Sequence, residues 1–310
     1  MLKRTITGLV ILILCAGFTA LRLISPFFFD GFSLVIIYGC LVEMNFSTKL
    51  YNKRSSKSIM FIYPIALFAV FALFPMIESL KGKSLVLVVL ILLLCFGVLM
   101  VKELIENGIK RRIGETEKDE KLLNESLLNE TKDTISILIY PTTLLGFLMG
   151  INHMGLGLGF VGIIMIFAIS MMTDVFAYLF GRMLGKRKMA PEISPNKTVA
   201  GMIFGFVGGL IAGGLGLWLF YFEGWFGAAE ILALPLWKAI TLFVALGVIG
   251  SLLTQMGDLV ASSIKRKIGI KDFGSIFPGH GGFMDRVDGL MFTTTLVYLL
   301  FLIVFFCFWL

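Results

Sequence analysis

Charge is scarce in this chain. Only 15% of its 310 residues are Asp, Glu, Lys or Arg, against about a quarter in a soluble globular domain. Together with an apolar fraction of 58%, this excludes an ordinary soluble domain. Histidine occurs twice, at His153 and His280, and cysteine four times, at Cys15, Cys40, Cys95 and Cys307. All four cysteines fall inside apolar runs with no CxxC spacing. That argues against a disulfide framework or a thiolate metal site and leaves buried, inert thiols. Long polar segments are also rare. One stands out, 102–133, "KELIENGIKRRIGETEKDEKLLNESLLNETKD", whose mixed charge and helix-favouring residues read as a solvated connector: a surface helix or a loop.

Long hydrophobic runs fill the rest, with a mean hydropathy of +0.95. Nine candidate spans lie at about 5–24, 29–46, 59–77, 84–101, 134–152, 156–181, 199–222, 237–257 and 287–309. Each is close to the ~20 residues a helix needs to cross a bilayer. Because lipid offers no partner for backbone polar groups, such runs are expected as helices. The expected fold is an all-α polytopic membrane protein with about nine transmembrane helices. The first run could be a signal peptide, but it continues well past a usual signal core and more spans follow, so it reads as a first membrane helix. The organisation is read as 1–133, N-terminal membrane helices and connector, and 134–310, a C-terminal catalytic membrane domain.

Placing the N-terminus in the cytoplasm puts 23 of the 27 Lys and Arg residues on the inside and only Arg22, Lys81, Lys83 and Lys238 outside. This asymmetry fits the positive-inside rule. The net charge of +7 is therefore assigned to cytoplasmic loops, and no nucleic-acid partner is expected. In span seven, Gly201, Gly205, Gly209 and Gly213 recur every four residues, a bare helix face suited to close packing.

Three inside-facing segments hold unusual residues. At the end of span eight, "TQMGDLVASSIKRK" puts Asp258, Ser262 and Lys265 on one helix face. Lys265 is two turns from Asp258, so a bound metal is the better partner for that carboxylate. In "FPGHGGFMDRVDG", Asp285 and Asp288 are three apart and share a face if a helix starts there. Helix capping would explain them, but two acids on one face also suit a hard cation such as Mg²⁺. Gly279, Gly281 and Gly282 free the backbone around His280 to approach phosphate oxygens. In "TDVFAYLFGRMLGKRKMAPEISPNKTVAG", Asp174 lies within a span, where a charge costs roughly 2.5–3.5 kcal/mol. There Ser194 can cap the next helix, and Lys197 with Thr198 resembles an anion site. Acids for a metal, bases for phosphates and a glycine-rich turn at one interface point to phosphoryl or nucleotidyl transfer on a membrane-resident substrate.

The run Ser262–Asp288, "SSIKRKIGIKDFGSIFPGHGGFMDRVD", resembles the signature of the phosphatidate cytidylyltransferase (CDP-diacylglycerol synthase) family, S-x-x-K-R-x4-K-D followed by P-x-H-G-G-x-x-D-R-x-D. Every fixed position is met: Ser262, Lys265, Arg266, Lys271, Asp272, Pro278, His280, Gly281, Gly282, Asp285, Arg286 and Asp288. The resemblance covers about 134–309. Relatives commonly carry an acid where Ala200 stands and a lysine where Asn196 stands.

The resemblance implies a reaction of CTP with phosphatidic acid that yields CDP-diacylglycerol and pyrophosphate for phospholipid synthesis. It also implies a membrane enzyme, in the inner or cell membrane, working at the cytoplasmic face. Asp258, Asp285 and Asp288 would hold Mg²⁺, Asp258 bridging if a second cation is held. Lys265, Arg266, Lys271 and Arg286 would hold phosphates, with Ser262, Asp272, Gly281 and Gly282 in the same binding segment. His280 would position the loop or a phosphate. Asp174, Lys186, Ser194, Lys197 and Thr198 would order the nucleotide or its loop. Assembly as a homo-oligomer is left open. The alternatives are transfer to another membrane lipid, a secondary transporter using Asp174, and an inactive lipid-binding relative.

Overall fold

The computed structural model describes residues 2–51, 57–73, 84–113 and 132–309. Its long helices follow the hydrophobic runs. They are α1 (Leu2–Leu21), α2 (Pro26–Tyr51), α3 (Lys57–Phe68, extended by a π turn Ala69–Leu73), α4 (Ser84–Ile113) and α5 (Lys132–Asn152). After them come α6 (Leu156–Leu184), a hairpin of β1 (Lys188–Ala190) and β2 (Ser194–Thr198), and α7 (Val199–Gly216, extended by a π turn Leu217–Phe222). A short α8 (Ala229–Leu232), then α9 (Leu236–Ile268) and α10 (Met284–Trp309) complete the chain. Six of these segments are long and apolar enough to cross a membrane, and three shorter apolar helices accompany them. The protein is an all-α polytopic membrane protein. α4 carries helix into the connector as far as Ile113; residues 114–131 of the connector lie outside those described.

Helix boundaries explain how polar residues leave the apolar zone. α9 has 33 residues, about 50 Å at ~1.5 Å per residue, which exceeds the ~30 Å hydrocarbon core. Its end at Ile268, well past the 257 expected from hydropathy, carries Asp258, Ser262, Lys265 and Arg266 clear of the apolar stretch. Lys265, Arg266 and Lys267 in its last turn meet the negative pole of the helix, and Gly269 at φ 79° closes it in the left-handed conformation. In α5, Pro141 interrupts the ladder. Thr142 Oγ1 donates to the Ile137 carbonyl (2.8 Å) and Thr143 Oγ1 to the Leu138 carbonyl (2.7 Å), which satisfies the freed acceptors.

The glycine stripe of α7 is a packing surface. A methyl group on Gly205 would meet the Gln255 side chain, on Gly209 the Gly247 carbonyl and Ser251, and on Gly213 the Phe243 carbonyl, all on α9. Gly201 and Gly208 face α6 at Ala177 and Met172. α9 and α10 close on each other in the same way, with Gly257 against the Asp288 carbonyl and Gly289 against Thr254. Thr254 and Thr293 share a 2.7 Å hydrogen bond across that contact.

The two ends of the bundle differ. At one end Arg22, 2% exposed, donates from Nε to Asn152 Oδ1 (2.6 Å) and from Nη2 to the carbonyls of Asn152 and Gly155 (2.7 Å each). This ties the α1–α2 corner to the α5–α6 corner. At the other end Thr7 Oγ1 of α1 donates to the Pro278 carbonyl (3.3 Å), which puts the start of α1 beside the 269–283 loop. Cys15, Cys40 and Cys95 are free.

Candidate active site

The loop between α9 and α10 is built around carboxylates. Phe277-Pro278-Gly279-His280 is a tight turn in which the His280 amide donates to the Phe277 carbonyl (2.8 Å), and Gly279 supplies the positive φ of 78°. Gly281 (φ 79°) returns the chain so that the Phe277 amide donates to its carbonyl (2.9 Å). Inside this turn lies Asp285, its side chain 3% exposed. Lys265 Nζ donates to Oδ1 (2.8 Å), and the amides of Phe273 (2.8 Å) and Gly282 (3.0 Å) donate to Oδ2. The Gly282 amide is spent on Asp285, so in this structure it does not point to a phosphate. Both oxygens of Asp285 are engaged within the protein, Oδ1 by Lys265 and Oδ2 by the two amides.

A second carboxylate holds the same loop and comes from the N-terminal half. Glu43 of α2, 5% exposed, accepts from the amides of Phe283 (Oε1, 2.9 Å) and Met284 (Oε2, 2.9 Å), capping the start of α10. A side chain on Gly274 or Gly282 would strike it. The glycines thus make room for Glu43. Nothing in the local sequence pairs Glu43 with this loop. The available signal was an ionisable residue within the second apolar run, which marks a functional position by default.

Asp258 lies one helical turn before Ser262, whose Oγ donates to Asp258 Oδ1 (3.4 Å). As its two-turn spacing implies, Lys265 is not the cation paired with Asp258: Lys197 Nζ of β2 lies 2.5 Å from Oδ2. Because α9 and α10 meet through Gly257 and Gly289, Asp288 comes within electrostatic reach of Asp258, Asp174 and Lys265. Asp174 on α6 in turn senses Asp258, Lys197 and Arg286. Three acids and three cations from α6, β2, α9 and α10 therefore converge at one end of the bundle. Among the described residues no group of three or more His, Cys, Asp or Glu side chains stands at metal-binding distance.

Beside this cluster opens a cavity of about 570 Å³ between α6, the hairpin, α7 and α9. Its lining includes Asp174, Tyr178, Arg182, Lys188, Lys197, Thr198, Gln255 and Asp258. Thr198 is the cap of α7, its Oγ1 accepting from the Gly201 amide (3.1 Å). Ser194 instead sits at the start of β2, four residues before the cap Thr198. Tyr178, on the helix face that Asp174 and Gly181 share, lines the cavity as that spacing predicts, while Arg182, Lys188 and Gln255 are lining residues not singled out from the sequence. Arg182 continues the helix face of Asp174 and Tyr178 at the same four-residue spacing.

The remaining candidates lie outside the cavity wall. Arg266 Nε donates to the Ile193 carbonyl (3.3 Å), pinning the hairpin turn to the end of α9. Lys186, Lys271 and Asp272 are exposed on loops. His280 packs towards α1, where a methyl on Gly8 would lie 3.7 Å from its ring; this fits a loop-positioning role.

The sequence profile of the cytidylyltransferase family matches residues 2–304 of this chain. Among relatives, the phosphatidate cytidylyltransferase of Staphylococcus aureus (strain COL) is 40% identical over 164 residues, covering 49% of this chain and 57% of the relative. That of Staphylococcus haemolyticus is 37% identical over 162 residues, with the same coverage. That of Brucella abortus biovar 1 is 42% identical over 142 residues, covering 46% and 47%. The chain thus spans about half the length of these relatives.

Proposed function

This chain belongs to the cytidylyltransferase family, and from that premise we propose that it transfers the cytidylyl group of CTP to phosphatidic acid, releasing pyrophosphate and forming CDP-diacylglycerol. The observation that carries the reading is the cluster of Asp174, Asp258 and Asp288 with Lys197, Lys265 and Arg286, set beside a cavity large enough for a nucleotide. A phosphatidate oxygen attacks the α-phosphorus of CTP. The bond from that phosphorus to the oxygen bridging to the β-phosphate breaks, and pyrophosphate leaves with its electron pair. The attacking phosphate is already ionised, so no general base is needed.

The side chains divide the work by position. Lys197, Arg182 and Lys188 line the cavity and offset the triphosphate charge. Asp174, Asp258 and Asp288 offer hard oxygen donors, and Mg²⁺ suits such a set together with substrate phosphates. When bound, the ion would polarise the α-phosphoryl group and neutralise the leaving pyrophosphate. Lys197 now occupies Asp258, and exchange of that ammonium from the carboxylate to a phosphate would free the acid for a cation. The site works at the cytoplasmic face, where CTP and Mg²⁺ arrive and where the basic loops gather. Purified protein with CTP, phosphatidate and Mg²⁺ should release pyrophosphate only when all three are present. Lipid-independent release, or none, would overturn the reading. Competing phosphatidate with another phosphorylated lipid identifies the acceptor.

A further inference from the structure

A second cavity, about 610 Å³, runs between α1, α2 and α10. Its walls include Leu14, Phe18, Phe27, Phe32 and Leu290, and among the described residues Arg286 is the only charged one lining it. Arg286 follows Asp285 in the first turn of α10 and is within electrostatic reach of Asp174, which lines the nucleotide cavity. Among the described residues its guanidinium forms no ion pair. One arginine therefore stands between a polar cavity and an apolar groove. From Phe27 to Ile36 the α2 wall rises about 13 Å, close to the ~15 Å hydrocarbon depth of a single leaflet.

Resting on the cytidylyl-transfer reading, we propose that this groove seats an acyl chain of the phosphatidate substrate, with Arg286 gripping its phosphate. A planar guanidinium binds phosphate through two parallel hydrogen bonds. With the phosphate at Arg286, the chain extends along the phenylalanine-lined wall and the phosphate faces the acids that flank the nucleotide. The N-terminal helices, which supply α1 and α2, would thus read the lipid, while α6, the hairpin, α7 and α9 hold the nucleotide.

Gly31 gives a test because it lines the groove and a methyl there meets nothing within 4 Å. Gly31→Leu projects an isobutyl group into the groove from a Cβ position that is itself free of contacts. For dioleoyl phosphatidate kcat/KM should fall about tenfold, as for two methylenes losing their cover at ~0.8 kcal/mol each. For dihexanoyl phosphatidate it should stay within about twofold. An equal loss for both lipids, or no loss for either, would overturn the proposal.

Labelling of the wild type needs neither the variant nor turnover. Phosphatidate with a diazirine in its acyl chain should label α1, α2 or α10, and excess phosphatidate, but not phosphatidylcholine, should suppress the label. Labelling elsewhere, or equal suppression by phosphatidylcholine as for a groove filled by bulk lipid, would overturn it. If wild type shows no CTP-dependent turnover, the cytidylyl-transfer reading fails, and the labelling still decides the groove.

Discussion

Replacing Glu43 with glutamine separates loop positioning from nucleotide binding. The carboxylate accepts two backbone amides at 2.9 Å each at the start of α10, and a hydrogen bond to a charged group contributes about 1.5–3 kcal/mol. Glutamine keeps one acceptor and turns an NH₂ group towards the other amide. One bond is lost, a donor faces a donor, and the negative charge at the positive pole of α10 disappears. The expected loss is about 3 kcal/mol in holding the first turn that carries Asp285, Arg286 and Asp288. Displacing reacting groups by about 1 Å can slow a reaction about 100-fold, so kcat should fall by about 10- to 100-fold. Among the described residues none of α2 lines the nucleotide cavity, so KM for CTP should stay within about twofold. Steady-state kinetics in detergent with saturating phosphatidate measures both. A second variant isolates the contact. Gly282→Ala drives a methyl into Glu43 and should be harmful alone but milder in a Glu43→Ala background, giving a coupling energy of about 1 kcal/mol or more. Strict additivity, or a rise in KM for CTP that accounts for the whole loss, would refute the reasoning.

Other outcomes follow from the same geometry. Lys197→Met should raise KM for CTP about tenfold or more and leave the melting temperature nearly unchanged. The pair with Asp258 is partly exposed (24% and 36%), so it stabilises the fold by less than about 1 kcal/mol; titration of CTP and a thermal melt check this. Asp285→Asn should remove turnover and also destabilise the protein by about 3 kcal/mol, because it strands Lys265 and turns an amide donor on the loop. Loss of turnover with an unaltered melting curve would instead favour a purely catalytic Asp285.

Much of this arrangement was legible in the residue order. Hydropathy located the membrane helices because each run is long and nearly free of charge. Ser262–Asp288 announced itself through clustered acids, bases and glycines in an apolar chain. Contacts between elements were not legible. Glu43 reaches an amide 240 residues away, and nothing local to either partner reveals the pairing. Lys265 lies on the same helix as Asp258 yet pairs with Asp285, because α10 brings that carboxylate under the end of α9. Asp258 takes Lys197 from the hairpin instead. The α7 cap moved from Ser194 to Thr198 because 194–198 pairs as a strand with β1, leaving Thr198 as the last extended residue before the helix.

The most direct measurement of cytidylyl transfer follows two labels of CTP through the purified enzyme with phosphatidate and Mg²⁺. The α-phosphate label should appear in a lipid-soluble product, and the γ-phosphate label should stay in water as pyrophosphate, each absent when Asp258 and Asp288 are replaced by alanine. Transfer of the γ-label to lipid, or an α-label that never leaves the aqueous phase, would contradict the account.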